Sequence, residues 1–185
     1  MPDSEAAVEI RGEIVVRLPE DYGMVSLRCA LDTVEIEGAL SRWAGTGMPG
    51  NGRFARTNKG SFAWMAPDEL LLMVPLSELE PTLEAVRDLG KSIPLSAADV
   101  SDMRVLFEVS GTGSRDVVAK GAPLDLCSAE FGPGSFRRTR LAQVSVMVWM
   151  EKEPAIRLAC RRSEADYVEE FLKFAATRGN PGFYS

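Results

Sequence analysis

Residues 108–121, Glu-Val-Ser-Gly-Thr-Gly-Ser-Arg-Asp-Val-Val-Ala-Lys-Gly, set an apolar run against two glycines and then a short helical pattern. Phosphate-binding loops are built this way, with backbone N–H groups at a helix start facing the anion. A dinucleotide fingerprint needs a third glycine three residues after the second, and this chain places Asp116 there. A carboxylate in a first helical turn is expected to satisfy the free N–H groups itself and to repel a pyrophosphate from them. No Gly-Lys-Ser/Thr follows, so a P-loop is excluded as well. The bend is expected to be a structural corner.

Other residues that carry chemistry are sparse. The chain has no histidine, and so lacks the usual general base, the base of nucleophilic triads and the commonest transition-metal ligand. Cys29, Cys127 and Cys160 are far apart and odd in number; that fits neither a zinc pair nor a closed disulfide set, and reduced, mostly buried thiols are expected. Asp125, between apolar residues in Gly-Ala-Pro-Leu-Asp-Leu, reads as a loop staple accepting backbone N–H bonds ahead of a catalytic carboxylate. Trp64 and Trp149 read as core or interface aromatics. Phe-Arg-Arg-Thr-Arg, residues 136–140, puts three arginines in five positions, which suits a solvated strand edge before an anion site. Phe183 and Tyr184 follow the last helical pattern without periodic support and either fold back on the chain or anchor in another. Arg137, Arg138, Arg140, Phe183 and Tyr184 are therefore the candidate partner contacts, and no catalytic, cofactor-binding or metal-binding residue is assigned.

At 185 residues and 20.2 kDa the chain is expected to fold as a single domain over 1–185, burying roughly 70% of its unfolded surface. Hydrophobic residues are 45% and charged residues 26%, an ordinary globular balance without the run of about 20 apolar residues that spans a bilayer. A net charge of −6 and a pI near 4.9 argue against a polyanionic partner, because affinity for nucleic acid comes from Lys and Arg displacing counterions. The opening Met-Pro-Asp-Ser-Glu-Ala-Ala-Val-Glu is acidic where an export signal is basic and then apolar, so a cytoplasmic location is expected.

The elements that position these residues repeat. Phe-Ala-Trp-Met-Ala-Pro-Asp-Glu-Leu-Leu-Leu from Phe62 and Met-Val-Trp-Met-Glu-Lys-Glu-Pro-Ala-Ile-Arg from Met147 each give an aromatic strand, an acidic Pro-containing turn and a second strand, followed by Ser-Glu opening a helix. The tryptophans, Trp64 and Trp149, lie 85 residues apart and the serines, Ser77 and Ser163, 86 apart, which points to a duplicated unit. Upstream, Val25, Leu27 and Cys29 alternate on one strand face, as do Val105, Phe107 and Val109, and each strand precedes a helical pattern. Asp32 with Glu35, Ser77 with Glu80, and Ser163 with Asp166 are expected to cap helices, with Gly90, Gly121 and Gly179 ending them. The halves, 24–90 and 102–178, each read strand, helix, loop, two antiparallel strands, helix. This is an α+β architecture of duplicated split βαβ, ferredoxin-like units, with Glu-Ile-Val-Val-Arg-Leu near the start and Ser-Ile-Pro-Leu-Ser-Ala-Ala-Asp-Val between the halves extending or joining the sheets.

Taken in order, several motifs are similar to those of the gamma subunit family of heterotetrameric sarcosine oxidase. They are Val118-Ala119-Lys120-Gly121 with Pro123-Leu124-Asp125-Leu126, Gly132-Pro133-Gly134, Thr139-Arg140-Leu141-Ala142, and Arg162-Ser163 with Ala165-Asp166-Tyr167. Ala-Pro-Asp-Glu-Leu-Leu-Leu from Ala66 resembles a further strand motif of the family, with Ala66 and Leu70 departing from it. The resemblance implies the fold of the aminomethyltransferase, or glycine-cleavage T protein, folate-binding domain, although this chain has no equivalent of the aminomethyltransferase catalytic carboxylate motif. It further implies a non-catalytic subunit that binds no cofactor itself and docks on alpha, beta and delta subunits. FAD, FMN, NAD, tetrahydrofolate and zinc would then reside on those partners. The implied reaction is oxidation of sarcosine to glycine, with the one-carbon unit passed to tetrahydrofolate or released as formaldehyde. A complex acting on another N-methyl amino acid, such as N-methylglutamate, has the same subunit plan. A stand-alone folate-binding protein is the rival reading, for which Asp125 and Glu108 are the carboxylates to test.

Overall fold

The computed structural model describes residues 8–10, 14–17, 22–57, 59–177, 182 and 184. The chain opens with an antiparallel pair, β1 (Val8–Ile10) and β2 (Ile14–Arg17). It then divides into two compact units: Asp21–Asp102, and Met103–Ser185 together with the described residues of Met1–Glu20. None of the described helices is long and apolar enough to cross a membrane.

The unit Asp21–Asp102 holds β3 (Tyr22–Cys29), α1 (Val34–Ala44), β4 (Phe54–Arg56), β5 (Ser61–Ala66), β6 (Glu69–Pro75), α2 (Leu79–Leu89) and β7 (Leu95–Asp99). Its sheet runs β4-β5-β6-β3-β7, antiparallel throughout. Strand, helix, hairpin, helix and returning strand make the expected split βαβ unit, with β4 as an additional edge. Alternation along β3 sends Val25, Leu27 and Cys29 to one face, where they meet Ile36 and Leu40 of α1 and Leu83 and Val86 of α2 in one apolar core.

The other unit holds β8 (Arg104–Ser110), α3 (Ser114–Ala119), β9 (Phe136–Leu141), β10 (Val144–Lys152), β11 (Ala155–Arg161) and α4 (Ala165–Thr177). Its sheet runs β1-β2-β8-β11-β10-β9. Here β2 lies antiparallel beside β8, in the place that β7 takes beside β3. The fifth strand of the pattern thus comes from the start of the chain in one unit and from the residues after α2 in the other. Phe107 and Val109 of β8, Val146 and Val148 of β10, and Val168 and Leu172 of α4 share the second core.

The duplication holds, and its register corrects the tryptophan alignment. Strands β6 and β11 begin at Glu69 and Ala155, the following 3₁₀ turns at Leu76 and Arg162, and helices α2 and α4 at Leu79 and Ala165, each pair 86 residues apart. The two hairpins also bulge at the same place, between Trp64 and Ala66 and between Trp149 and Lys152. With that offset Trp64 corresponds to Met150, and Trp149 corresponds to Ala63. Trp64 accordingly packs against the helix-side core of its sheet, whereas Trp149 pairs with Arg157 and Phe136 on the face opposite the helix-side residues Val148 and Met150. A one-residue slip in a strand exchanges the two faces.

The expected caps give way to another device. Neither Thr33 before α1 nor Glu78 before α2 makes a side-chain cap bond. Helices α2 and α4 are each entered through a 3₁₀ turn, Leu76–Glu78 and Arg162–Glu164, with the N–H of Leu79 bonded to the Leu76 carbonyl and that of Ala165 to the Arg162 carbonyl. Ser77 and Ser163 therefore sit inside the turns, and i→i+3 backbone bonds take up groups that the serines would have capped. The expected stop at Gly179 lies outside the described residues.

Candidate functional site

After β8, Gly111 turns the chain at φ 107°, a region open to glycine, and the six residues of α3 follow. Ser114, Arg115 and Asp116 at the start of that helix are all buried. Ser114 Oγ donates to the Pro154 carbonyl oxygen. Arg115 donates to the Phe131 carbonyl oxygen at 2.7 Å, to the Leu126 carbonyl oxygen and to the Glu153 carboxylate. The bend is a corner held by a buried guanidinium, whose planar fork suits several oxygen acceptors at once. Nothing in the spacing around Arg115 marked it for this role, because the acceptors lie 11, 16 and 38 residues downstream.

Asp116 does not do what its position suggested. It is 1% exposed, and neither carboxylate oxygen has a hydrogen-bond partner among the described residues. The N–H groups at the start of α3 are therefore not capped by it.

The turn beyond α3 is fastened at several points. Lys120 Nζ donates to the Ala175 carbonyl oxygen of α4 at 2.6 Å. Asp125 is exposed, and its Oδ1 accepts the Cys127 N–H at 2.9 Å, the loop staple expected of it. That backbone bond, with a further one from the Cys127 thiol, holds the Asp125 carboxyl below its ordinary pKa. Leu126 and Phe131 bury their side chains in the core.

The candidate partner contacts separate. Arg138 and Arg140 are exposed and Arg137 half-buried on β9, the outermost strand of its sheet. Arg138 lies opposite Met147 and Arg140 opposite Ser145, so the two share one sheet face, and Arg137 lies on the other. Tyr184 is half-buried and packs against the core of its own unit; Phe183 lies outside the described residues.

Glu108 and Asp125, the two carboxylates that a folate-handling site would use, have different surroundings. Glu108 on β8 accepts Arg157 Nε at 3.0 Å, and Arg157 Nη1 also donates to Glu151 at 2.5 Å. Trp149 Nε1 donates to the same Glu151 oxygen at 3.4 Å. Glu108 is thus one end of a Glu–Arg–Glu row across the sheet, whereas Asp125 lies in an exposed turn. Cys29 and Cys160 are buried. Burial, followed by the charge of Asp68 for Cys29 and of Glu164 for Cys160, raises both thiols, Cys160 to about 11. Among the described residues no three His, Cys, Asp or Glu side chains come together as a metal ion requires.

Known proteins share both sequence and fold with this chain. The sarcosine oxidase gamma subunit of Corynebacterium sp. (strain P-1) is 32% identical over 136 residues, covering 72% of this chain and 66% of that protein. That of Corynebacterium sp. (strain U-96) is 28% identical over 173 residues, covering 90% of this chain and 82% of that protein. A chain of the heterotetrameric sarcosine oxidase from Corynebacterium sp. U-96, solved in complex with pyrrole 2-carboxylate, superimposes with a TM-score of 0.82 at 26% identity over 91% of this chain and 87% of its own length. The glycine cleavage system aminomethyltransferase T from Bartonella henselae matches in fold, with a TM-score of 0.65 at 11% identity over 89% of this chain and 49% of its own. The family model for the sarcosine oxidase gamma subunit matches residues 32–178, and the chain belongs to that family.

Proposed function

We propose that this chain is a non-catalytic, cytoplasmic subunit of a heterotetrameric sarcosine oxidase, contributing surfaces that hold the other subunits together. The observation that carries this reading is the match in fold and sequence, over 91% of the chain, to a chain of a heterotetrameric sarcosine oxidase. The site geometry supports it. Arg115 is spent on its own loop, Glu108 on Arg157 and Asp125 on a backbone N–H, each a structural use. The remaining partners are alpha, beta and delta subunits, which carry FAD, FMN, NAD, tetrahydrofolate and zinc. The complex oxidises sarcosine to glycine.

Co-expression with the other three subunits tests this. The chain is expected to co-purify in fixed stoichiometry, and the flavin absorbance to stay with the partners when the chain is stripped away. An isolated chain that oxidises sarcosine, or that binds tetrahydrofolate with micromolar affinity in a titration, would overturn the proposal.

A further inference from the structure

The two sheets leave four outer strands: β1, β9, β4 and β7. An outer strand presents unpaired backbone N–H and C=O groups, and proteins normally blunt it by shortness, positive charge, proline or a bulge. Strands β1 and β4 have three residues each, with Arg56 ending β4, and β9 carries Arg137, Arg138 and Arg140. Strand β7 has none of these devices. It is Leu-Ser-Ala-Ala-Asp, five residues in unbroken register with β3, and its small central side chains let another backbone approach.

The ladder fixes which groups face outward. The Val100 N–H bonds to the Met24 carbonyl, and the Cys29 N–H bonds away from β7, to the Asp68 carbonyl. Bonded and non-bonded pairs alternate in an antiparallel ladder, so Ser26–Ala98 and Arg28–Ser96 are the bonded pairs. Ala97 and Asp99 then direct both their N–H and C=O groups away from β3, and among the described residues no strand pairs with that side.

We infer that β7 is a receiving edge: an extended, basic segment of a partner subunit adds beside it as a sixth strand of the sheet. This rests on the subunit reading above. An extended segment is the chemistry that a row of main-chain donors and acceptors recognises. The edge ends in Asp99, whose Oδ1 accepts from the Ser101 N–H and hydroxyl, neutral donors that leave its negative charge in place, on a chain of net charge −6. A basic strand is drawn to that end, whereas a second copy of this chain would set two like-charged molecules against each other.

Ala97→Pro removes the outward N–H and leaves the bonds from Ser96 and Ala98 to β3 in place; proline is tolerated where the N–H side faces solvent. Ala97→Gly keeps the N–H and serves as the matched control. In co-expression with the other three subunits, Ala97→Pro is expected to weaken capture about tenfold or more, and Ala97→Gly to assemble like the parent. As a check independent of folding, the amides of Ala97 and Asp99 should exchange rapidly in the isolated chain and slowly in the complex, with Ser96 and Ala98 protected in both. A Pro variant that folds and assembles like the parent, or an Ala97 amide whose exchange assembly leaves unchanged, overturns the inference and leaves the subunit reading standing. Concentration-dependent dimerisation of the isolated chain, abolished by Ala97→Pro in light scattering, identifies a second copy as the occupant and also overturns it. Failure of the unaltered chain to join the other subunits overturns both.

Discussion

Arg115 Nη1 donates a 2.7 Å hydrogen bond to the main-chain oxygen of Phe131, 16 residues further along the chain. The same guanidinium also reaches the Leu126 carbonyl and Glu153, so one side chain ties α3 to the loop ahead of β9 and to the β10–β11 turn. Replacing it by alanine leaves buried carbonyl oxygens without donors, each a substantial desolvation cost. Arg115→Ala should therefore lower stability by roughly 3 kcal/mol, read as a shift in the urea midpoint. Arg115→Lys should recover only part, because an ammonium cannot span acceptors arranged for a planar fork. Full recovery by lysine would mean that charge alone, without the fork, holds the corner.

Gly121 is required by crowding. A Cβ there would lie 2.5 Å from Phe171 Cζ and 3.0 Å from Leu141 Cδ1. Gly121→Ala should cost about 1–3 kcal/mol, the usual penalty of overpacking. If Phe171 is the obstacle, adding Phe171→Leu should return part of the loss, and a double-mutant cycle measures that coupling. Strict additivity would place the strain in the backbone instead.

Much of the fold was legible because strands and helices display their burial in their spacing. Val25, Leu27 and Cys29 alternate along β3, and Val168, Leu172 and Ala175 recur along α4, each directed at the core that the periodicity required. The repeat was legible too, but not its register: two Trp-Met pairs invited an alignment one residue out, and a strand converts one residue into the opposite face. The helix starts misled for a related reason. Ser77 and Ser163 stand where caps stand, yet a 3₁₀ turn satisfies the same groups with backbone alone. Arg115 was beyond the reach of any local pattern, since its acceptors come from a loop and a distant turn that only the folded chain brings together.

The thiols should differ in reactivity. Cys29 and Cys160 are 8% and 2% exposed, whereas Cys127 is half-buried in the turn beside Asp125. At pH 8 a thiol reagent should modify Cys127 first and the other two only on unfolding. Burial, with the Glu164 charge added, pushes Cys160 up to about 11 from 9.0. An unfolded chain then releases the thiol proton at lower pH than the folded one, so folding holds more protons across this interval. The contribution of Cys160 to stability is present below pH 9 and is lost as the pH rises through 11. Cys160→Ala should flatten the alkaline limb of a melting-temperature profile, and an unchanged limb would assign it to other groups.

Asp116 offers the sharpest test of how α3 begins. As a first-turn anion facing the free N–H groups, its carboxylate would stabilise the helix, and Asp116→Asn, which keeps an acceptor oxygen and loses the charge, would be neutral or mildly harmful. Its two oxygens instead lie buried with no partner among the described residues, and an unpaired buried charge costs more than an unpaired amide of the same shape. Asp116→Asn should accordingly raise stability by about 1 kcal/mol at pH 7, with an unchanged denaturant slope. The sign of that shift separates the two accounts. A loss would restore the carboxylate as the group that holds the free N–H groups of α3, whereas a gain means that the Arg115 network anchors the start of the helix without it.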